Sequence, residues 1–187
     1  GLASMADEGV LGFKTAIGDY TASISYNKSG DTSTGGEVST QDGTSHSIAI
    51  SGPLTDGATG GIAWGDVSGA GTDQDETQMT GYAKYVSGAL TMAAQYTDIN
   101  KPAGTNDIDS LGYGVTFAVN ENLSIGVSRL DVDFNDSSKT EQESTGFGAS
   151  YTMGSMTLKG TTATTDAVGG AAGTDDKHTE IVLSFAF

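Results

Sequence analysis

Apolar and polar residues alternate along this chain with a period of two, in runs of six to nine positions, which is the pattern of β-strands with one apolar face. The clearest case is the first hairpin, predicted as Val10 to Ile17, a turn at Gly18-Asp19, and a return from Tyr20 to Asn27. Leu11, Phe13, Ile17, Tyr20, Ala22, Ile24 and Tyr26 share one face, and Gly12, Lys14, Ala16, Thr21, Ser23 and Ser25 share the other. The same reading predicts strands at Ser45 to Ser51, Thr59 to Asp66, Met79 to Tyr85, Ala89 to Tyr96, Ser110 to Ala118, Leu123 to Arg129, Gly146 to Tyr151, Met156 to Ala163 and Glu180 to Phe187. That makes about eleven.

The connections alternate in length. Short turns are predicted at Pro53 with Asp56-Gly57, at Val86-Ser87-Gly88, at Val119 to Asn122 and at Thr152 to Ser155. Long polar stretches lie between them, at Lys28 to Thr44, Val67 to Gln78, Asp98 to Asp109, Asp131 to Ser144 and Thr164 to His178. In an up-and-down sheet this sorts all short turns to one end and all long loops to the other, as in barrels with short periplasmic turns and longer extracellular loops.

The non-apolar face changes the picture further. Gly112, Gly114, Thr116 and Ala118 alternate with Leu111, Tyr113, Val115 and Phe117, and Thr91, Ala93 and Gln95 alternate with Leu90, Met92, Ala94 and Tyr96. A soluble sandwich would solvate that second face with charge; small, mostly uncharged residues suit a wall facing a water-filled lumen. Tyr20, Tyr26, Tyr85, Tyr96, Phe117, Tyr151 and Phe187 fall near strand ends, where aromatic girdles meet the membrane interfaces.

Composition agrees. The chain has 187 residues, 28 Gly, 2 Pro, no Cys and 36% apolar residues, too few for a generous two-layer core. No run approaches the 18 apolar residues of a transmembrane helix, while a membrane-spanning strand hides its apolar residues at alternate positions. The formal charge is −16, with 24 acidic against 8 basic residues, which argues against nucleic acid as a partner. The fold class is all-β, an antiparallel transmembrane β-barrel.

These residues resemble a known family. Ile181 to Phe187, apolar at every second place and ending in Phe, together with Gly146 to Tyr151, Leu111 to Phe117 and Leu123 to Arg129, look like the C-terminal part of a general-diffusion outer-membrane porin of the alphaproteobacterial type. The resemblance implies passive diffusion of small hydrophilic solutes and ions, homotrimers of sixteen-stranded barrels, an inward-folded third external loop, and contact with outer-membrane lipid and lipopolysaccharide. It also implies that Ile181, Leu183, Phe185 and Phe187 form the signal read by the assembly machinery. Eleven antiparallel strands would close with a parallel pair, so residues 1–187 are expected to form a single β-barrel domain lacking about five N-terminal strands. Asp7 and Glu8 then become candidates for the constriction rim, against the plainer reading of a solvated terminus.

Candidate pore-lining charges are Lys14, Lys84, Lys159 and Glu180, all on the lumen parity, where they would bias ion passage; the plainer alternative puts Lys84 and Lys159 near a barrel mouth, where they matter little. Arg129 belongs with them only if a bulge flips the register there; otherwise its strand has already left the membrane. Asp131, Asp133 and Asn135, followed by Asp136, suggest a weak Ca²⁺ site, as do Asp73, Asp75 and Glu76, although position six of an EF-hand loop should be Gly and position twelve Glu where Asp136 and Gln142 stand. Exposed acid in a loop is the bland alternative; cations held there, Ca²⁺ or Mg²⁺, could bridge to lipopolysaccharide phosphates, and no cofactor is otherwise required. His46 and His178 stand outside any catalytic motif, and Gly35-Gly36, Gly60-Gly61 and Gly169-Gly170 lack a phosphate-loop setting, so no enzyme is predicted. The competing reading is a secreted or surface β-rich adhesive protein with Ca²⁺-binding acidic loops, which would need a buried second face.

Overall fold

The computed structural model describes residues 10–28, 44–68, 75–101 and 106–186. They form one antiparallel sheet of eleven strands in chain order. The strands are β1 (Val10–Ile17), β2 (Tyr20–Lys28), β3 (Thr44–Thr55), β4 (Ala58–Ser68), β5 (Glu76–Ser87), β6 (Leu90–Asn100), β7 (Ile108–Ala118), β8 (Leu123–Asp133), β9 (Gln142–Met153), β10 (Met156–Asp166) and β11 (Asp176–Phe185). A 3₁₀ turn, Val168–Gly170, interrupts the last long connection.

Short turns do gather at one end. Gly18-Asp19, Asp56-Gly57, Gly88-Ala89 and Gly154-Ser155 each join two strands with two residues. Gly18, Gly88 and Gly154 take φ of 60°, 57° and 61° at the first turn position, a left-handed geometry that matches the twist of the flanking strands and that side chains rarely adopt. The β5–β6 turn is therefore Gly88-Ala89, and Val86 and Ser87 belong to β5, because the positive φ resides in Gly88. The remaining short turn, 119–122, is held by the Asn120 carboxamide oxygen, which accepts the N–H groups of Asn122 and Leu123 at 2.9 Å each.

Pro53 lies inside β3 rather than in the turn. It coincides with the register shift between Pro53 and Thr55, where a bulge needs no ladder N–H from that residue.

Most strands run further toward the long loops than their alternation predicts. Asp98 to Asn100 extend β6, Asp131 to Asp133 extend β8, Gln142 to Ser144 open β9, and Asp176 to His178 open β11. The backbone ladder continues there although both faces are polar. Pairing needs only N–H and C=O groups; alternation appears only where one face meets something apolar.

Among the described residues no apolar interior supports this sheet. Among the described residues Ala167, 6% exposed, is the only buried apolar one, and it lies in the loop after β10. Leu11, Ile24, Ile62, Val127, Phe147, Ile181 and Leu183 are all exposed, and by register they share one face. Around Ala167 the β8–β9 and β10–β11 connections clasp each other: Gly169 N–H donates to the carboxamide oxygen of Gln142 at the start of β9 at 2.8 Å, and Thr140 N–H donates to the Gly170 carbonyl at 3.0 Å, while within the β8–β9 connection the Lys139 ammonium sits 4.4 Å from the Phe134 ring centre.

Candidate functional site

The register links one set of positions into a continuous wall. Lys84 pairs with Ala93, Ala93 with Gly114, Gly114 with Ser128, Ser128 with Gly146, and Gly146 with Ala163. The opposite face carries Tyr85, Met92, Val115, Val127, Phe147 and Thr162 at neighbouring places. Two broad hollows of about 590 and 580 Å³ lie against the small-residue face, the first across β6 to β10 and the second across β5 to β10. A hollow shared by five adjacent strands means the sheet curves with this face inward.

The wall is a hydroxyl surface. Ser25 and Ser47 hydroxyls lie 2.8 Å apart, Thr80 and Thr97 2.9 Å, and Ser144 and Thr165 3.0 Å, each pair bridging adjacent strands on the inner face. Such pairs hold the strands together while leaving lone pairs for water.

Lys14, Lys84, Lys159 and Glu180 all fall on this inner parity and are exposed, Lys14 opposite Ser23, Lys159 opposite Ser150 and Val182, and Glu180 opposite Thr161. The ion pairs among the described residues are His46 with Asp66, Arg129 with Asp131 and Arg129 with Glu143, so none of the three lysines has a carboxylate partner there. Lys84 shares its hollow with Tyr82, Gln95, Ser110 and Leu130. Tyr82 was missed by the sequence reading, which assigned aromatics to the outward girdles; its parity with Lys84, two residues on, was the available signal. Its ring lies over Gly61, where an added Cβ would come 2.8 Å from the ring edge.

Arg129 does not line the wall. The β7–β8 and β8–β9 ladders run without a shift, so Arg129 stays opposite Tyr113 and Thr145 on the outward face. Its Nε donates to Asp131 at 2.7 Å and its Nη2 lies 2.6 Å from Glu143. With both acids on the same outward end of β8 and β9, the cation marks where the strands emerge from lipid into water.

Asp131, Asp133 and Asn135 are not assembled as a cation site. Asp131 is committed to Arg129, the Asp133 carboxylate accepts Asn135 N–H at 2.8 Å, and the Asn135 carboxamide donates to Asp109 at 2.8 Å. Asn135 itself stands at φ 47°, a turn conformation that points the run away from a common centre. Asp136 accepts the N–H of Ser138 at 2.8 Å and its hydroxyl at 2.7 Å, and these two donors hold its carboxyl below the usual range. Among the described residues no three acidic or histidine side chains converge on a metal-sized position. Asp75 is exposed and Glu76 begins β5, where its carboxylate accepts from Gln78 at 2.7 Å.

In β11, Ile181, Leu183 and Phe185 fall on the outward face, and Glu180 and Val182 on the inner one. Asp7, Glu8, Asp73 and Phe187 lie outside the described residues.

Residues 3–185 match the family model for Gram-negative porins. No curated protein sequence matches the chain. Among solved structures, a porin refined at 1.8 Å superposes with a TM-score of 0.73 at 20% identity, covering 95% of this chain and 61% of that one. An anion-selective porin from Comamonas acidovorans superposes with a TM-score of 0.74 at 14% identity, over 95% and 59% of the two chains, and a mutant porin from Rh. blastica with 0.59 at 16%, over 95% and 67%. The chain thus spans about three fifths of the length of the first two. With alternate residues turned outward to lipid and inward to water along an eleven-strand sheet, and a match over nearly its whole length, the chain belongs to the Gram-negative porin family of outer-membrane β-barrels.

Proposed function

We propose that the protein is a passive diffusion channel carrying small hydrophilic solutes and ions across the bacterial outer membrane, as a homotrimer seated among lipid and lipopolysaccharide. The observation that carries this reading is the inner wall of Gly, Ala, Ser and Thr. A solute passing it exchanges hydrogen bonds with water and hydroxyls of similar strength, so no step along the wall is deeply bound or strongly repelled. Passage needs no chemical step and no cofactor.

The competing reading, a secreted adhesive β-protein, requires the outward apolar face to be buried within the protein. Leu11 at 72% exposure and Ile181 at 76% do not fit that requirement, whereas a lipid bilayer covers them. Single-channel recording from detergent-purified protein in planar bilayers tests the proposal. Stepwise conductance that rises in proportion to bulk salt supports it, and a water-soluble protein without conductance refutes it.

A further inference from the structure

All three inner lysines sit at one depth. Lys14 lies three residues before Ile17, the last of β1; Lys84 three before Ser87, the last of β5; and Lys159 three after Met156, the first of β10. Those strand ends carry the two-residue turns. At about 3.3 Å per residue, each lysine is rooted roughly 10 Å along its strand from the short-turn, periplasmic end.

Carboxylates occupy other depths. On the inner face Glu76 lies eleven residues from Ser87, Asp176 nine from Phe185, and Glu180 five from Phe185. Glu180 pairs with Thr161, one inner position beyond Lys159, and forms no ion pair with it. On the outward face Asp98, Asp109 and Asp131 stand eight or nine residues from the periplasmic ends of their strands, Leu90, Ala118 and Leu123. Asp19, Asp56 and Glu121 lie on the turns themselves, exposed to bulk solution, where salt screens them beyond about 10 Å. Along the inner face the order from the short-turn end is therefore the three lysines, then Glu180, then Asp176 and Glu76, with Asp98, Asp109 and Asp131 outside the passage.

The lysines are four and five strands apart, roughly 19 and 24 Å along the wall at about 4.8 Å per strand. They are too far apart to grip one small ion together. Directly opposite them in the sheet stand Ser23, Thr59, Ala93, Ser150 and Val182, none of which is charged. Three cations at one level, without a carboxylate partner among the described residues and flanked across the ladder by neutral ones, are placed to act on passing ions through their combined field.

We propose that Lys14, Lys84 and Lys159 form the charge filter of the passage, a cationic layer just inside the periplasmic mouth that retards cations and transiently holds polyvalent anions, while the acidic outer rim gathers cations without selecting among them. This rests on the channel reading above.

The test uses the whole protein inserted from one side of a planar bilayer, with reversal potentials in a KCl gradient and inorganic tripolyphosphate as the probe. Lys14→Gln/Lys84→Gln/Lys159→Gln should raise the potassium-to-chloride permeability ratio about threefold to fivefold, as three charges roughly 10 Å from the axis in screened water require. Glu76→Gln/Asp176→Asn, on the inner face near the long loops, should leave that ratio within the scatter of wild type. Tripolyphosphate should block wild-type current at lower concentration from the periplasmic side than from the outer side, and the triple lysine variant should lose that asymmetry. If the triple variant does not insert, Lys84→Gln alone supplies the same readings at about a third of the logarithmic shift. An unchanged permeability ratio with symmetric block overturns the proposal. Absence of conductance in wild type instead overturns the channel reading on which it rests.

Discussion

Adjacent residues of β4 can separate the two faces of the wall in one experiment. Ile62 is the fifth residue of β4 and points outward, paired with Ile50 and Gly81; Ala63 follows and points inward, paired with Ala49 and Thr80. A lysine at Ile62 places its stem among lipid chains at mid-depth and loses a side chain that is 58% exposed toward them. The charge at the bilayer midplane costs about 2–4 kcal/mol. At 1.4 kcal/mol per factor of ten, that is roughly 30- to 700-fold in the folding equilibrium. A lysine at Ala63 instead faces water, with Ala49 and Thr80 leaving room, and should change stability by about 0.5 kcal/mol or less. The assay is urea-dependent folding into lipid vesicles, followed by tryptophan fluorescence from Trp64, which lies on the outward face. Equal effects of Ile62→Lys and Ala63→Lys, or a larger penalty at Ala63, would refute the assignment of faces and with it the lumen.

Two further outcomes follow from named contacts. At Gly61 an added Cβ meets the Ile50 carbonyl, the Ser51 side chain and the Tyr82 ring, each at 2.8 Å, whereas at Gly12 it meets nothing within 4 Å. Gly61→Ala should therefore destabilise by about 1–3 kcal/mol and shift Tyr82, with Gly12→Ala near neutral in the same vesicle-folding assay; a neutral Gly61→Ala would contradict the packing of Tyr82 across that glycine. Arg129→Gln removes two ion pairs from a side chain that is 35% exposed, where water screens them, so stability should change little, and the reversal potential should not move because the residue lies outside the lumen. A shifted reversal potential would return Arg129 to the pore wall.

The strands were legible because alternation is imposed by two different media. β1 matched from Val10 to Ile17, since its residues meet lipid on one side and water on the other along its length. The same rule went silent at Asp131 to Asp133 and Gln142 to Ser144, where both faces meet water and the ladder alone defines the strand. The inner lysines and Glu180 could be sorted by parity, but the common depth of the three lysines depends on the turns at Gly88-Ala89 and Gly154-Ser155. Arg129 was ambiguous because a bulge and an emergence from lipid leave the same trace in sequence, and only an unbroken register separates them. The acidic run resembled a ligand set in composition alone; Arg129 and the Asn135 N–H engage the oxygens of Asp131 and Asp133, Asp109 accepts from the Asn135 carboxamide nitrogen, and none of these partnerships is visible in spacing.

The extension of the ladder beyond the apolar band divides each long strand into two regimes of inheritance. Below the level of Arg129, every position answers to lipid or to the lumen, and a residue of the wrong character is rejected according to its parity. Above it, main-chain hydrogen bonds keep the wall standing while neither face constrains the side chains. Tolerance of substitution is then not confined to the loops. It can run down into the sheet itself, through Asp131 to Asp133 of β8 and Gln142 to Ser144 of β9, so that the barrel presents a changing surface on an unchanging frame.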